Sequence, residues 1–216
     1  MMRLGVLASG SGSNLQAILD ACSRGTLDAQ VVVVICNVPG AGALDRAARA
    51  GIPCRVLPHK SAPTREAYDE LVVDELRQHG VDLVCLAGFM RLITPVLLTA
   101  FQNKILNIHP ALLPSFPGLH AVRQAIAAGV RIAGCTVHLV DEGTDSGPII
   151  LQAAVPVVPG DTEQTLAARV LIQEHRIYSR AIGLFAEGRI NLDGRRVVID
   201  APNDGSRVLV SPELPR

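Results

Sequence analysis

The sequence predicts an α/β fold: a mostly parallel twisted sheet with helices on both faces, Rossmann-like, whose C-terminal part adds antiparallel strands and one long helix. Three observations point there. Short apolar runs rich in Val and Ile alternate with stretches of helical period. The core has to be aliphatic, since 49% of the 216 residues are hydrophobic yet they include no Trp, two Tyr and four Phe. Glycines follow the helical stretches, where a left-handed residue closes a helix. The length suits one domain, expected over residues 1–200, with residues 201–216 as a flexible tail rich in turn-forming residues.

Residues 4–8 form a short apolar strand, followed by a Gly-rich turn and a helix over 15–24 that Gly25 ends. Residues 31–36 are a continuous apolar run, fit for a strand buried on both faces. A helix over 43–50 stops at Gly51, and residues 54–57 make a short strand. Tyr68, Leu71, Val72 and Leu76 share one side of a helix over 65–79, with Gly80 after it. Residues 82–87 and 105–109 are further strands. This alternation implies right-handed βαβ units and a parallel sheet. From Thr136 the pattern changes. Residues 136–140 and 149–157 read as strands joined by a polar loop and able to pair antiparallel. Asp161-Thr-Glu-Gln164 then has the form of a capping box, opening a helix to about Glu187 with Gly188 behind it.

Twenty basic and twenty acidic residues cancel, which argues against a general nucleic-acid partner. The longest apolar run, 31–36, is far short of a membrane span, and the N-terminus lacks the form of a signal peptide, so a cytoplasmic location is expected. The five cysteines form no CxxC pair and read as small buried hydrophobes; no metal is implied. The chain suits a monomer or a homodimer.

Ser9-Gly-Ser-Gly-Ser-Asn14 joins the first strand to the first helix, at the carboxyl end of a strand, where open α/β sheets bind ligands. Gly10 and Gly12 let backbone N–H groups approach an anion, and the helix N-terminus adds a favourable dipole. The loop fits neither dinucleotide nor triphosphate motifs: Leu15 stands where GxGxxG needs its third Gly, and no Gly-Lys-Ser/Thr follows. It reads either as a cradle for one phosphate monoester or as a tight turn with a polar cap.

Leu106-Asn-Ile-His-Pro110 carries the chemistry. Asn107 and His109 lie two apart and face one side of a strand, which Pro110 ends. An Asn amide can donate to the oxyanion of an acyl-transfer intermediate, and a histidine can both donate and move protons. A nearby carboxylate is then expected to favour the charged imidazole. Asp145, in the turn 143–147, is the candidate, with Asp141 and Glu142 as rivals; a purely structural Asn and His is the alternative. His120 and His138 could line the same cleft, His175 could face it or pack against it, and His59 and His79 read as surface.

At these residues the sequence resembles the phosphoribosylglycinamide formyltransferase family, over nearly the whole chain. The resemblance is carried by residues 8–16, by Leu86-Ala-Gly-Phe-Met-Arg91, by residues 106–114 and 116–120, and by 134–138 running on to Asp145-Ser-Gly-Pro148. It implies a formyltransferase fold with a phosphate-binding N-terminal half and a folate-binding C-terminal half. It also implies transfer of the formyl group of 10-formyltetrahydrofolate to the amine of glycinamide ribonucleotide, without a metal. Asn107, His109 and Asp145 match the family's catalytic trio, an ordered water helping Asp145 to hold His109 cationic. Gly12, Ser13 and Asn14 match its phosphate-holding segment, and Glu174 a residue on the sugar or glycinamide end. Arg65, Met90, Arg91, Leu92, Ile93, Asn107 and the loop Asp141, Glu142, Gly143, Thr144 and Asp145 match folate contacts. Leu139 and Thr144 depart from the residues common in the family beside the pteridine. Folate hydrolases and tRNA-directed formyltransferases are the neighbouring readings, both expected to carry a further domain. A non-catalytic phosphate-binding module is the alternative of another class.

Overall fold

The first strand, β1 (Met2–Ala8), lies at the middle of the sheet, because each apolar run after it finds a partner on one side or the other. In the computed structural model, which describes residues 1–199, β1 pairs in parallel with β2 (Ala29–Cys36) on one edge and β4 (Leu83–Leu86) on the other. Beyond them stand β3 (Cys54–Val56) and β5 (Ile105–His109), also parallel. β6 (Ile132–Leu139) and β7 (Ile149–Pro156) extend the sheet antiparallel, giving seven strands in the order β3-β2-β1-β4-β5-β6-β7. The order reverses between β1 and β4, so the loops leaving those strands open a crevice. The expected tail, 201–216, lies outside the described residues.

Alternation along the strands divides the core. Leu4, Val6 and Ala8 face α1 (Ser13–Ser23), α2 (Gly42–Arg49), α5 (Ala121–Ala127) and α6 (Glu163–Ala186). Leu7, Val33 and Ile35 face α3 (Arg65–Gln78) and α4 (Pro95–Ala100). Both faces of the central strands are thus dry, the condition under which continuous Val and Ile runs are stable. α6 is tied to the sheet by a polar contact as well. The buried hydroxyl of Tyr178 lies 2.9 Å from the Leu86 carbonyl and 3.1 Å from that of Leu106, bridging the adjacent strands β4 and β5.

The cysteines are all free; Cys36, Cys85 and Cys135 are buried, and burial pushes the thiols of Cys85 and Cys135 up to about 12. They pack as apolar side chains and are poor nucleophiles.

Several boundaries differ from the sequence reading. The capping box of α6 uses Thr162 and Thr165, not Asp161 and Gln164. Asp161 instead takes the Val158 N–H at 2.8 Å and pairs with Arg169 at 2.7 Å, which fixes the entry to the helix. β6 begins at Ile132, four residues before the expected Thr136. α4 and α5, with six and seven residues, are too short to show a helical period. A hairpin of β8 (Ile190–Asp193) and β9 (Arg196–Ile199) follows α6. Its two-residue turn is Gly194-Arg195, with Gly194 left-handed at φ 58°.

Gly134 marks the tightest approach in the antiparallel half: a Cβ there would collide with the carbonyl oxygen of Ala153 across the β6–β7 ladder. Gly134→Ala is therefore expected to cost about 3 kcal/mol, lowering the melting temperature by roughly 6 to 12 °C. A thermal melt of that variant within 2 °C or so of the parent would contradict this packing.

Candidate active site

Three carboxyl-end segments of the sheet and one returning loop build the site. The first is the turn from β1 into α1. Gly12 is left-handed, at φ 73°, and a Cβ on it would stand 2.6 Å from Ala43 Cα, so glycine is required there. α2 braces the loop: Ala43 N–H donates to the Gly10 carbonyl at 3.1 Å, and Arg46 Nε to the Ser11 carbonyl at 2.8 Å. Ser13 opens α1, so its N–H groups point out of the helix end with the positive dipole behind them. Asn14 is buried and donates from Nδ2 to Glu174 Oε2 at 2.8 Å, while its Oδ1 has no partner among the described residues. Glu174, on α6, is 8% exposed; burial pushes its carboxyl up, and the Asn14 amide opposes that.

The second segment is the loop 88–94 after β4. Met90 and Leu92 are exposed at 67% and 58%, unusual for apolar side chains beside a crevice. Arg91 lies over the Tyr68 ring, 4.6 Å from its centroid, and Ile93 packs against the core of that face. Met90 N–H donates to Ser9 Oγ at 2.9 Å, which links this loop to the glycine-rich one. Arg65 is the exposed first residue of α3.

The third is the end of β5. Asn107 and His109 point to the same side, and the antiparallel register sets His138 of β6 directly opposite Asn107. Asn107 Nδ2 lies 3.2 Å from His138 Nε2 and 3.4 Å from Asp145 Oδ1. His138 donates from Nδ1 to the Leu139 carbonyl at 2.8 Å, which fixes its ring.

Asp145 comes back on the loop between β6 and β7. It is left-handed, at φ 52°, a conformation that costs a non-glycine residue about 1 kcal/mol or more. The loop is shaped from within by Asp141, whose Oδ1 takes Gly143 N–H at 3.1 Å and Ser146 Oγ at 2.7 Å. Glu142, Gly143 and Thr144 lie exposed at its tip. Asp145 Oδ2 accepts the Gly118 N–H at 2.7 Å and stands 3.2 Å from His109 Nδ1. His109, 5% exposed, sends its other ring nitrogen to the Phe116 carbonyl at 2.9 Å. Acceptors thus stand at both ring nitrogens, an arrangement that suits a doubly protonated imidazole. Burial pushes the Asp145 carboxyl up, but the His138 ring, the Gly118 N–H and the His109 charge outweigh it, and the carboxyl sits below its ordinary value.

The carboxylate reaches the ring directly, and of the three acidic candidates Asp145 alone does so. His120 is exposed and left-handed at the start of α5, with no capping bond from its side chain. His175 lines a cavity of about 730 Å³ between α1 and α6, together with Ser13, Gln16 and Arg46. His59 comes within 3.3 Å of Asn37 Nδ2, and His79 pairs with Glu75. Sequence reasoning missed the Gly118 N–H and the Phe116 carbonyl, since backbone groups leave no residue signature, and Arg46, whose hold on Ser11 needs the α1–α2 packing.

The formyl transferase family pattern matches residues 2–182. The chain belongs to the formyl transferase family. Among relatives of this family member, phosphoribosylglycinamide formyltransferase of Escherichia coli is 45% identical over 91% of this chain and 96% of its own length. The trifunctional purine biosynthetic protein adenosine-3 of Drosophila pseudoobscura is 48% identical over 94% of this chain, which spans only 15% of that longer protein. The crystal structure of glycinamide ribonucleotide transformylase 1 from Symbiobacterium toebii superposes with a TM-score of 0.91 at 57% identity, over 92% of this chain and 94% of that one. Among the described residues no helix is long and apolar enough to cross a membrane, and no group of three or more His, Cys, Asp or Glu could hold a metal ion.

Because the Asp145 carboxyl is held below its ordinary value in the folded chain, its ionised form contributes stability above about pH 4, and that contribution is lost as pH falls through the folded value. The melting-temperature advantage of the parent over Asp145→Asn is expected to hold from neutral pH down to about 5 and to shrink below about 4. A difference that stays constant to about pH 3 would show that the charge of Asp145 is not engaged in the fold.

Proposed function

We propose that this chain transfers the formyl group of 10-formyltetrahydrofolate to the amine of 5-phosphoribosylglycinamide, giving formylglycinamide ribonucleotide and tetrahydrofolate in purine biosynthesis. The observation that carries the reading is the His109–Asp145 contact at 3.2 Å with the Asn107 amide beside it. This trio stands next to the phosphate-type loop and the loop 88–94, where two substrates would meet.

In this reading the sugar phosphate rests on the N–H groups of Gly12, Ser13 and Asn14. Glu174, held by Asn14, takes the sugar hydroxyls or the glycinamide end. The reduced folate lies along Met90, Arg91, Leu92 and Ile93 and the loop from Asp141 to Asp145, with Arg65 near its anionic tail. The amine lone pair attacks the formyl carbon, and a C–N bond forms as the carbonyl oxygen gains the negative charge. Asn107 and the His109 imidazolium donate to that oxyanion, the Nε2–H exchanging the Phe116 carbonyl for it, and Asp145 supports the imidazolium as the charge develops. The proton lost by the amine passes to the departing folate nitrogen as its bond to the formyl carbon breaks. The ligands are small molecules, without nucleic acid or membrane, and the expected location is cytoplasmic. The single domain over 1–200, as a monomer or homodimer, is part of the same reading.

His109→Ala is expected to lower kcat by roughly 10²- to 10⁴-fold while both substrates still bind. Unchanged turnover would reject the mechanism. Asp145→Asn is expected to lower kcat by a similar order with little change in either Michaelis constant, because the charge is needed mainly in the transition state. If it instead raised the Michaelis constants at full turnover, Asp145 would be a binding residue. Release of tetrahydrofolate should require the phosphoribosyl amine; equal release into water alone would make the chain a hydrolase.

A further inference from the structure

Asp69 is a buried carboxylate that the proposed reaction does not use. It is 2% exposed, in the second turn of α3, and its Oδ2 accepts the backbone N–H of Thr94 at 2.6 Å. Thr94 is itself 3% exposed, so without Asp69 that N–H would be a buried donor with no partner. Thr94 ends the loop 88–94 and caps α4, whose first residue is Pro95. A buried ionised carboxylate is costly unless something compensates it. Here burial pushes the Asp69 carboxyl up, while the Thr94 N–H and the charge of Arg91 pull it back.

The loop itself explains why a charged side chain stands there. Between Gly88 and Thr94 the chain belongs to no helix or strand, so side chains from other elements must hold it. Three do. Ser9 Oγ takes the Met90 N–H at 2.9 Å near its start. The Tyr68 ring underlies the Arg91 guanidinium at 4.6 Å in its middle. Asp69 takes the Thr94 N–H at its end. Tyr68 and Asp69 are neighbours on one turn of α3, so a single rigid helix sets two of the three anchors. Between those anchors Leu92 is 58% exposed, on a segment whose path is fixed even though its side chain is free.

We propose that Asp69 is a positioning residue for the folate co-substrate: through the Thr94 N–H it holds loop 88–94 in the shape that receives the reduced folate, without touching it. The role rests on the assignment of that loop to folate in the function proposed above. It differs from a general contribution to stability, because on that assignment the loop lies along the folate.

The test is titration of tetrahydrofolate into the full chain by calorimetry, for the parent, Asp69→Ala and Asp69→Asn, alongside steady-state kinetics in both substrates and thermal melts. Asp69→Ala removes the acceptor. It should weaken tetrahydrofolate binding, and raise the Michaelis constant for 10-formyltetrahydrofolate, by roughly 10- to 100-fold. The Michaelis constant for the phosphoribosyl amine and kcat should stay within about twofold. Asp69→Asn keeps an acceptor oxygen and should recover part of the loss, leaving a defect of roughly 3- to 10-fold confined to the folate. Asparagine is nearly isosteric and neutral, so this variant carries the test if the alanine chain does not fold. Equal binding of tetrahydrofolate by the parent and Asp69→Asn overturns the role of Asp69. A loss spread evenly over both substrates, in step with the melting temperature, overturns it too. A parent chain that does not bind tetrahydrofolate at all overturns the folate assignment itself.

Discussion

The contact between Asp145 and His109 is the constraint around which the rest of the molecule is arranged. The two residues belong to different segments, and one of them sits in a left-handed conformation to make the contact. A buried imidazolium is unfavourable without a counter-charge, and a carboxylate at 14% exposure is unfavourable without donors. Each supplies what the other lacks, and the Gly118 N–H and the Phe116 carbonyl satisfy the outer positions. Removal of either partner leaves an uncompensated charge in a dry place, so the pair persists as a unit.

The fold delivers that pair by ordinary means. Parallel strands end together, so the glycine-rich turn, the loop 88–94 and the Asn107–His109 segment come together along one edge of the sheet. β6 runs antiparallel away from that edge, and the β6–β7 loop, leaving beside Ile105, folds back so that Asp145 meets His109 of β5. Tyr178 ties the long helix to β4 and β5, and the same helix carries Glu174 to Asn14. Two loops with no regular structure are thus held from rigid elements, α2 behind the glycine-rich turn and α3 behind residues 88–94. The site is built on braces rather than on the stiffness of its own loops.

Much of this was legible from residues alone. The alternation of apolar runs and helical stretches predicted the parallel half, because strands buried on both faces need continuous Val and Ile such as 31–36. The two-residue spacing of Asn107 and His109 placed them on one side of a strand before any pairing was known. What escaped was whatever depends on register or on backbone. His138 stands opposite Asn107 only because β5 and β6 pair with Asn107 level with it; a shift of one residue would turn it away. α4 and α5 are too short for a periodic signal, and their identity comes from packing. The choice among Asp141, Glu142 and Asp145 was open in the sequence. It was decided by the internal hydrogen bonds of Asp141, which close the loop and aim the later residue inward.

The most direct test is a crystal structure of the chain with the phosphoribosyl amine and a non-transferable analogue of 10-formyltetrahydrofolate bound together. The account predicts the formyl oxygen within hydrogen-bond distance of the Asn107 amide and the His109 ring, the amine nitrogen about 3 to 3.5 Å from the formyl carbon, and Asp145 still against His109. A formyl group bound well away from this trio, or an Asp145 carboxylate withdrawn from the ring in the occupied site, would contradict it.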